Sequence, residues 1–165
     1  MQLATWLDQT TGIRHVDEAT NAGFTRYAIG ASVATGAVIR IRRWLATPTA
    51  RLELRRAAAI SGKVACLSAA RWHGLWTVDD ARLHVAVAHG ASRFDGGDAR
   101  VHWGAPLLVP NRFELIEPIA DALVRIADCQ PFDHVRHHER TTQPWAGRAD
   151  AGAGAPAAAS VAPAT

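Results

Sequence analysis

Apolar residues near the N-terminus recur at helical spacing. Leu3, Trp6 and Leu7 stand at i, i+3 and i+4, which predicts a first helix that ends by Gly12. The same period continues to Gly23, a residue that can take the left-handed conformation of a helix stop. Two short helices are therefore expected before residue 24.

A third helix is predicted directly after this turn, over 26–35. Thr25 is a suitable N-cap because its hydroxyl can accept a hydrogen bond from a backbone N–H of the first turn. Gly36 ends the helix, and Ile29 and Val33, four residues apart, form its buried side. The other side is expected to face solvent.

From residue 38 onward the helical period gives way to alternation. β-Branched residues and arginines alternate over 38–42, and Leu45 begins a returning strand after a turn at 42–44. The pattern predicts a β-hairpin with arginines at its tip.

Residues 51–140 mix helical and strand patterns, so the fold class is predicted to be α+β. The predicted helices lie at 51–60, at 68–73 and from Pro118 onward, and the predicted strands lie at 83–88 and 100–103. In the last helix, Pro118 takes the first position, and Ile119, Leu123 and Ile126 are the predicted buried stripe.

The segment 141–165 is rich in Ala, Gly and Pro and has one large apolar side chain, Trp145. It cannot bury enough surface to offset its chain entropy, so it is predicted to be disordered. The predicted organisation is a winged helix-turn-helix at 1–50, a mixed α+β domain at 51–140 and the tail at 141–165.

Two helices joined by a short glycine turn form a helix-turn-helix, whose second helix can enter the major groove of DNA. The predicted base-contacting residues lie at the start and on the exposed face of the third helix: Thr25, Arg26, Tyr27, Gly30 and Ala31. The hairpin would act as a wing whose arginines contact phosphates: Arg40, Arg42 and Arg43. The alternative is a helical hairpin and strand whose arginines are only solvated.

The distribution of charge favours the DNA-binding interpretation. Residues 1–60 have eight Lys and Arg against four Asp and Glu, a net charge of +4, whereas residues 61–140 have nine against ten, a net charge of −1. Phosphate binding requires a local basic surface of this kind.

Candidate catalytic chemistry is sparse. Cys66 and Cys129 are expected to be small core residues, because two cysteines without CxxC spacing match no common metal or disulfide framework. A zinc site from Cys129, His134, His137 and His138 is the weaker alternative. There is no phosphate-binding glycine motif and no spaced nucleophile and base, so no enzyme activity, cofactor or metal is predicted.

Five segments resemble a known family. They lie at 23–46, 66–76, 83–93, 100–103 and 117–128, and the most specific part is SAARWHGLW at 68–76. In this order they are similar to the AbiEi-type antitoxin and transcriptional-regulator family, chiefly its actinobacterial members. The resemblance implies a winged helix-turn-helix that represses its own operon, beside a nucleotidyltransferase-like toxin.

The chain departs from that family in three places. The family wing turns at Arg-Arg-Gly and returns through Tyr, whereas Trp44, Leu45 and Ala46 follow here. The stretch between Trp103 and Glu117 is short, so one strand of the middle sheet is expected to be missing. Many members continue into a nuclease-like domain related to very-short-patch-repair endonucleases, which is absent here, so phosphodiester chemistry is not expected.

The expected function is therefore a DNA-binding transcriptional regulator whose partners are double-stranded DNA, a toxin-type protein and a second copy of itself. The alternative is a non-catalytic protein-interaction module of phage, prophage or defence origin, which an exposed patch around Trp44 would favour. No apolar run of spanning length and no basic, apolar leader occurs, so a cytoplasmic protein with no membrane partner is expected.

Overall fold

The computed structural model of the chain describes residues 1–91, 95–109 and 111–130. The predictions for the tail at 141–165 and for His134, His137 and His138 lie outside these residues. Helices and two small sheets are combined throughout the described part, so the predicted α+β class is confirmed.

The first fifty residues form three helices and a three-stranded antiparallel sheet. In chain order these are α1 Leu3–Asp8, β1 Ile13–His15, α2 Val16–Asn21, α3 Arg26–Ala34, β2 Ile39–Ile41 and β3 Trp44–Ala46. The strands lie in the order β1-β3-β2. Strand β1 was not predicted, because its three residues show no alternation of their own and are held by pairing with β3.

The helices of this region pack on the sheet through one apolar cluster. Its buried members are Leu3, Leu7, Ala19, Ile29, Val38 and Leu45. Burying a leucine or isoleucine stabilises the fold by about 1.5–3 kcal/mol, so this cluster fixes α3 against α1 and the sheet. Since Ile29 is the one fully buried residue of α3, most of the helix surface remains exposed.

Residues beyond 50 form three helices and a mixed sheet. They are α4 Leu52–Ala59, β4 Lys63–Val64, α5 Cys66–Trp72, β5 His84–Val87, β6 Arg100–Trp103 and α6 Ile119–Cys129. Strand β5 is central, antiparallel to β4 and parallel to β6. The two-residue strand β4 was not predicted, since it is too short to show a period.

The largest apolar cluster extends across residue 50. Ile13 and Ala46 of the first sheet pack in the same core as Leu54 of α4 and Val85 of β5. Residues Met1–Pro131 accordingly form one compact unit. None of the described helices is long and apolar enough to cross a membrane.

The prediction of the buried stripe of α6 is wrong in part. Ile126 is half-buried against an apolar cluster, but Ile119 and Leu123 are 42% and 50% exposed, and the helix instead buries Asp121 and Ala122. The apolar period therefore indicated a side of α6 next to the buried one. Trp44, whose exposure would favour the protein-interaction alternative, is buried in β3, and its ring lies at a centroid distance of 5.3 Å from that of His15.

Candidate functional site

The third helix begins where the sequence predicts. Thr25 is its N-cap, and the Thr25 hydroxyl accepts a hydrogen bond from the backbone N–H of Ala28 at 3.2 Å. Gly23, with φ of 91°, forms the turn that separates α2 from α3. The turn between α2 and α3 and the start of α3 are therefore specified by local signals.

All eight predicted DNA-binding residues are exposed: Thr25, Arg26, Tyr27, Gly30, Ala31, Arg40, Arg42 and Arg43. Tyr27 is 84% exposed, which is unusual for a large aromatic side chain unless it serves a contact surface. No Asp or Glu occurs between Glu18 and Glu53, a stretch that holds five arginines. Helix α3 and the hairpin thus have no acidic side chains of their own.

The hairpin arginines are held by bonds to neighbouring elements. Arg42 occupies the turn with φ of 53°, and its Nε donates to the carbonyl of Ala59 at 2.5 Å. An Arg43 Nη lies 3.5 Å from the Asp17 carboxylate in the first turn of α2. Each interaction uses few of the five N–H groups of a guanidinium, so the same side chain can also bind a phosphate.

The basic surface extends beyond the hairpin. Arg42 and Arg43 line a groove of about 180 Å³ together with Lys63 and Arg112, and one acidic residue, Glu114, also lines it. Arg112 also contacts Asp17, at 3.2 Å, so one carboxylate is shared by two arginines. Lys63 and Arg112 were missed by sequence reasoning, because they lie 20 and 69 residues from Arg43 in the chain.

A second group of functional side chains lies inside the region beyond residue 50. Cys66, His84, His102 and Cys129 each direct one potential metal-ligating atom to a common point, and these atoms all lie within 4.8 Å of one another. His84 Nδ1 is 3.0 Å from His102 Nε2 and 3.9 Å from the Cys129 sulfur. We refer to these four residues as the Cys/His cluster.

Four separate elements supply the cluster. His84 and His102 come from the parallel neighbours β5 and β6, and their rings stack at a centroid distance of 5.2 Å. Cys66 is the first residue of α5 and Cys129 is the last residue of α6. Cys66 has φ of 49°, a left-handed conformation that costs a non-glycine residue about 1–2 kcal/mol.

Asp80 supports the cluster from outside. Its carboxylate lies 3.1 Å from His84 Nε2 and accepts hydrogen bonds from the backbone and guanidinium of Arg82. A carboxylate can only accept, so the proton of neutral His84 resides on Nε2. His84 Nδ1 therefore presents a lone pair to His102 and Cys129.

The environment of the cluster favours neutral side chains. Burial lowers the pKa of His84, and burial together with the neighbouring His84 lowers the pKa of His102 to about 4. Burial, with the nearby Cys129 adding to its effect, raises the pKa of the Cys66 thiol to about 12. At neutral pH the histidines are unprotonated, and Cys66 is a thiol.

Cys66 is a buried core residue, as expected, but sequence reasoning missed the convergence of the four residues. The alternative zinc site considered from the sequence shares only Cys129 with the Cys/His cluster. The residues are 18, 18 and 27 positions apart, which is no known metal-binding spacing. The one usable signal was that a histidine stood in each of the two predicted strands at 83–88 and 100–103.

No protein-family model matches the chain, and no curated protein matches it. The resemblance to AbiEi-type antitoxins therefore stays a prediction based on the five segments quoted above.

Proposed function

We propose that this protein binds double-stranded DNA through α3 and the β2–β3 hairpin and acts as a transcriptional regulator. The observation that carries the proposal is the arrangement of residues 1–50. Helix α3 follows α2 after a glycine turn. The β2–β3 hairpin, which carries the arginines, follows α3 and forms one sheet with β1. This is the element order of a winged helix-turn-helix.

Helix α3 would read the base edges. Arg26 and Tyr27 lie in its first turn, the part of a recognition helix that usually contacts bases. An arginine there can bind guanine by two hydrogen bonds, which discriminates against other bases by about 1–3 kcal/mol. Gly30, exposed in mid-helix with no atom within 4 Å of an added Cβ, lets the helix backbone approach the duplex closely.

The hairpin would bind phosphates and fix the register of α3. Arg43 is the clearest candidate, because it forms an exposed ion pair with Asp17. Such pairs stabilise a fold by only about 0–1 kcal/mol. A phosphate can replace that carboxylate at small cost. Lys63 and Arg112, in the same groove, extend the surface available to the DNA backbone.

An exposed patch around Trp44 would have favoured the interaction-module alternative, and Trp44 is buried. Regulation as an antitoxin, with a toxin-type partner, rests on the family resemblance alone. Dimerisation is a separate hypothesis, since a single winged domain usually needs a second copy for specificity. Band-shift stoichiometry of one monomer per site would contradict dimerisation.

The proposal can be tested by selecting bound sequences from a random duplex library with the full chain. Fluorescence anisotropy on an enriched and a scrambled duplex, at several salt concentrations, then gives affinity, sequence preference and salt slope. Replacing both Arg40 and Arg43 by Ala should weaken binding and lower the salt slope by about 1.8, or about 0.9 for each phosphate that is no longer neutralised. Arg42 is retained, since it bonds to Ala59.

The matched control is the double variant Arg51→Ala and Arg71→Ala, which also removes two exposed positive charges. It should keep the salt slope and the sequence preference. Arg26→Ala should relax the preference at one base pair and leave the salt slope nearly unchanged. Weak binding that is equal on both duplexes and unaffected by the Arg40 and Arg43 substitutions would contradict the proposal.

A further inference from the structure

We propose that Cys66, His84, His102 and Cys129 bind one zinc ion, which has a structural role in the region beyond residue 50. The site is independent of the DNA-binding surface, because it lies within the mixed sheet and its two covering helices. Two imidazoles and two thiolates form a closed ligand set that leaves no position for a substrate, which is typical of structural zinc.

The donor atoms are placed for a tetrahedral ion. With bonds of about 2.3 Å to sulfur and 2.0–2.1 Å to nitrogen, tetrahedral zinc requires separations of about 3.3 Å between nitrogens and about 3.6 Å between nitrogen and sulfur. The corresponding distances here are 3.0 Å between His84 and His102 and 3.9 Å between His84 and Cys129. All pairs of donor atoms lie within 4.8 Å of one another, so side-chain shifts of about 1 Å or less would complete the geometry.

Charge also favours a divalent ion. Binding would release one proton from each thiol, and the two thiolates would then balance the charge of the zinc at a position where a buried net charge would be costly. His84 Nδ1 already presents a lone pair, because His84 Nε2 donates its proton to Asp80. In the metal-free protein His102 Nε2 donates to His84 Nδ1, so zinc binding would also move the His102 proton from Nε2 to Nδ1.

The surroundings of the cluster provide two further arguments. The bond between Asp80 and His84 Nε2 has the arrangement by which carboxylates orient zinc-binding histidines. Cys66 adopts a left-handed backbone conformation, and in non-glycine residues such conformations concentrate at functional sites. An ion would also link the end of α6, at Cys129, to both strands.

The first experiment uses the full chain, fully reduced and stripped of metal. Zinc should bind with one ion per chain and raise the thermal midpoint, because it binds the folded state. Cobalt should give the intense visible bands of a tetrahedral ion and a near-ultraviolet thiolate-to-cobalt charge-transfer band. An octahedral cobalt spectrum, or reduced protein that binds no zinc and instead forms a Cys66–Cys129 disulfide in air, would overturn the proposal.

Ligand variants make the assignment specific. Cys129→Ser and His102→Asn change the two half-buried members of the cluster, which are the least dangerous for folding. Each should weaken zinc binding by more than about 100-fold, since an outer-sphere partner alone is worth about 10–100-fold. His89→Asn, at an exposed histidine just past β5, is the matched control and should bind as the unmodified chain does. Equal loss in this control, or no loss in both ligand variants, would overturn the assignment.

Asp80 is a positioning residue, and its test distinguishes orientation from folding. Asp80→Asn should weaken zinc binding by about 10–100-fold while the cobalt spectrum keeps its tetrahedral and thiolate bands. The nitrogen chemical shifts of His84 should also report a changed tautomer in the metal-free protein. Asp79→Asn, at the exposed neighbour, is the control and should change neither quantity. Unchanged zinc affinity in Asp80→Asn would remove Asp80 from the site.

Discussion

The two halves of the described chain place their polar side chains differently. In residues 1–50 the charged groups lie on the surface, and the apolar cluster beneath α3 contains no ionisable side chain. Beyond residue 50, His84 is fully buried, and Glu117 and Asp121 are each only 3% exposed. Surface arginines suit binding to another molecule, whereas buried titratable groups require partners inside the fold.

The buried groups beyond residue 50 are stabilised to different degrees. Glu117 has a strong partner, since both its carboxylate oxygens accept from Arg125 Nε, at 2.8 and 3.0 Å. Asp121 Oδ1 accepts from the Leu107 backbone, but its Oδ2 has no partner among the described residues. The Cys/His cluster would be satisfied by the proposed ion. This half therefore depends on specific polar contacts that the first half does not need.

The largest effect is expected from breaking the buried ion pair. Arg125→Met should lower the free energy of unfolding by about 3–5 kcal/mol, because it leaves the buried carboxyl group of Glu117, whose pKa burial already raises, without its guanidinium partner. Chemical denaturation at neutral pH measures the change. Adding Glu117→Leu should restore most of the loss, since it removes the orphaned charge. A loss below about 1 kcal/mol in the single variant would show that solvent reaches Glu117.

A smaller loss of stability is expected at Gly62, where the backbone beside β4 lies too close to β5 to leave room for a side chain. In Gly62→Ala the new Cβ would lie 2.4 Å from a Val85 methyl and 2.7 Å from the Ala86 carbonyl oxygen. Because a backbone atom cannot move aside cheaply, we expect a loss of about 1–3 kcal/mol in the free energy of unfolding. An unchanged denaturation midpoint would mean that the strands separate easily there.

The same contrast explains which features the sequence could predict. Helix α3, its Thr25 cap and the hairpin were predicted because each is specified by residues within a few positions of one another. Strands β1 and β4 were missed because pairing with distant strands defines them. The buried side of α6 was misassigned because Asp121 faces inward to bind the Leu107 backbone.

The candidate DNA-binding residues could be proposed from sequence for the same local reason. The Cys/His cluster could not, since its members are far apart in the chain and meet only after the parallel pairing of β5 with β6. Neither the hydrophobic period of the strands nor the spacing of the four residues indicates that pairing. A site built by topology is visible only in three dimensions.

His15 is the one titratable residue of the first half that is buried. His15 is buried as the N-cap of α2, where its Nδ1 accepts from the backbone N–H of Asp17 at 3.2 Å. Burial lowers the pKa of His15, with Arg43 and Arg112 adding to the effect, while Asp17 opposes it. A protonated ring could not accept that bond.

This position should make the first half sensitive to acid. The unfolded chain takes up the His15 proton near pH 6.5, before the folded chain does, so the contribution of His15 to stability is complete above pH 6.5 and is lost as the pH falls below it. His15→Asn retains an acceptor and removes the titration. Between pH 8 and 5 the free energy of unfolding of the His15→Asn variant should fall less steeply than that of the unmodified chain. The two slopes should differ by at most about 1.4 kcal/mol per pH unit. Parallel curves would assign the acid sensitivity to other groups.

The smallest expected change in stability is that of Gly30→Ala, a substitution that should affect stability and DNA binding in opposite directions. Gly30→Ala places a methyl group on the open surface of α3 and should raise the free energy of unfolding by about 0.5–1 kcal/mol, because glycine is a poor helix former. Ala31→Gly, at the adjacent exposed position, should lower it by a similar amount. If α3 lies against DNA, Gly30→Ala should nevertheless bind the selected duplex more weakly, because the methyl group occupies the space of closest approach. A more stable protein that binds DNA less well would place function on the surface of the first half, whereas a gain in both would show that α3 does not approach DNA at Gly30.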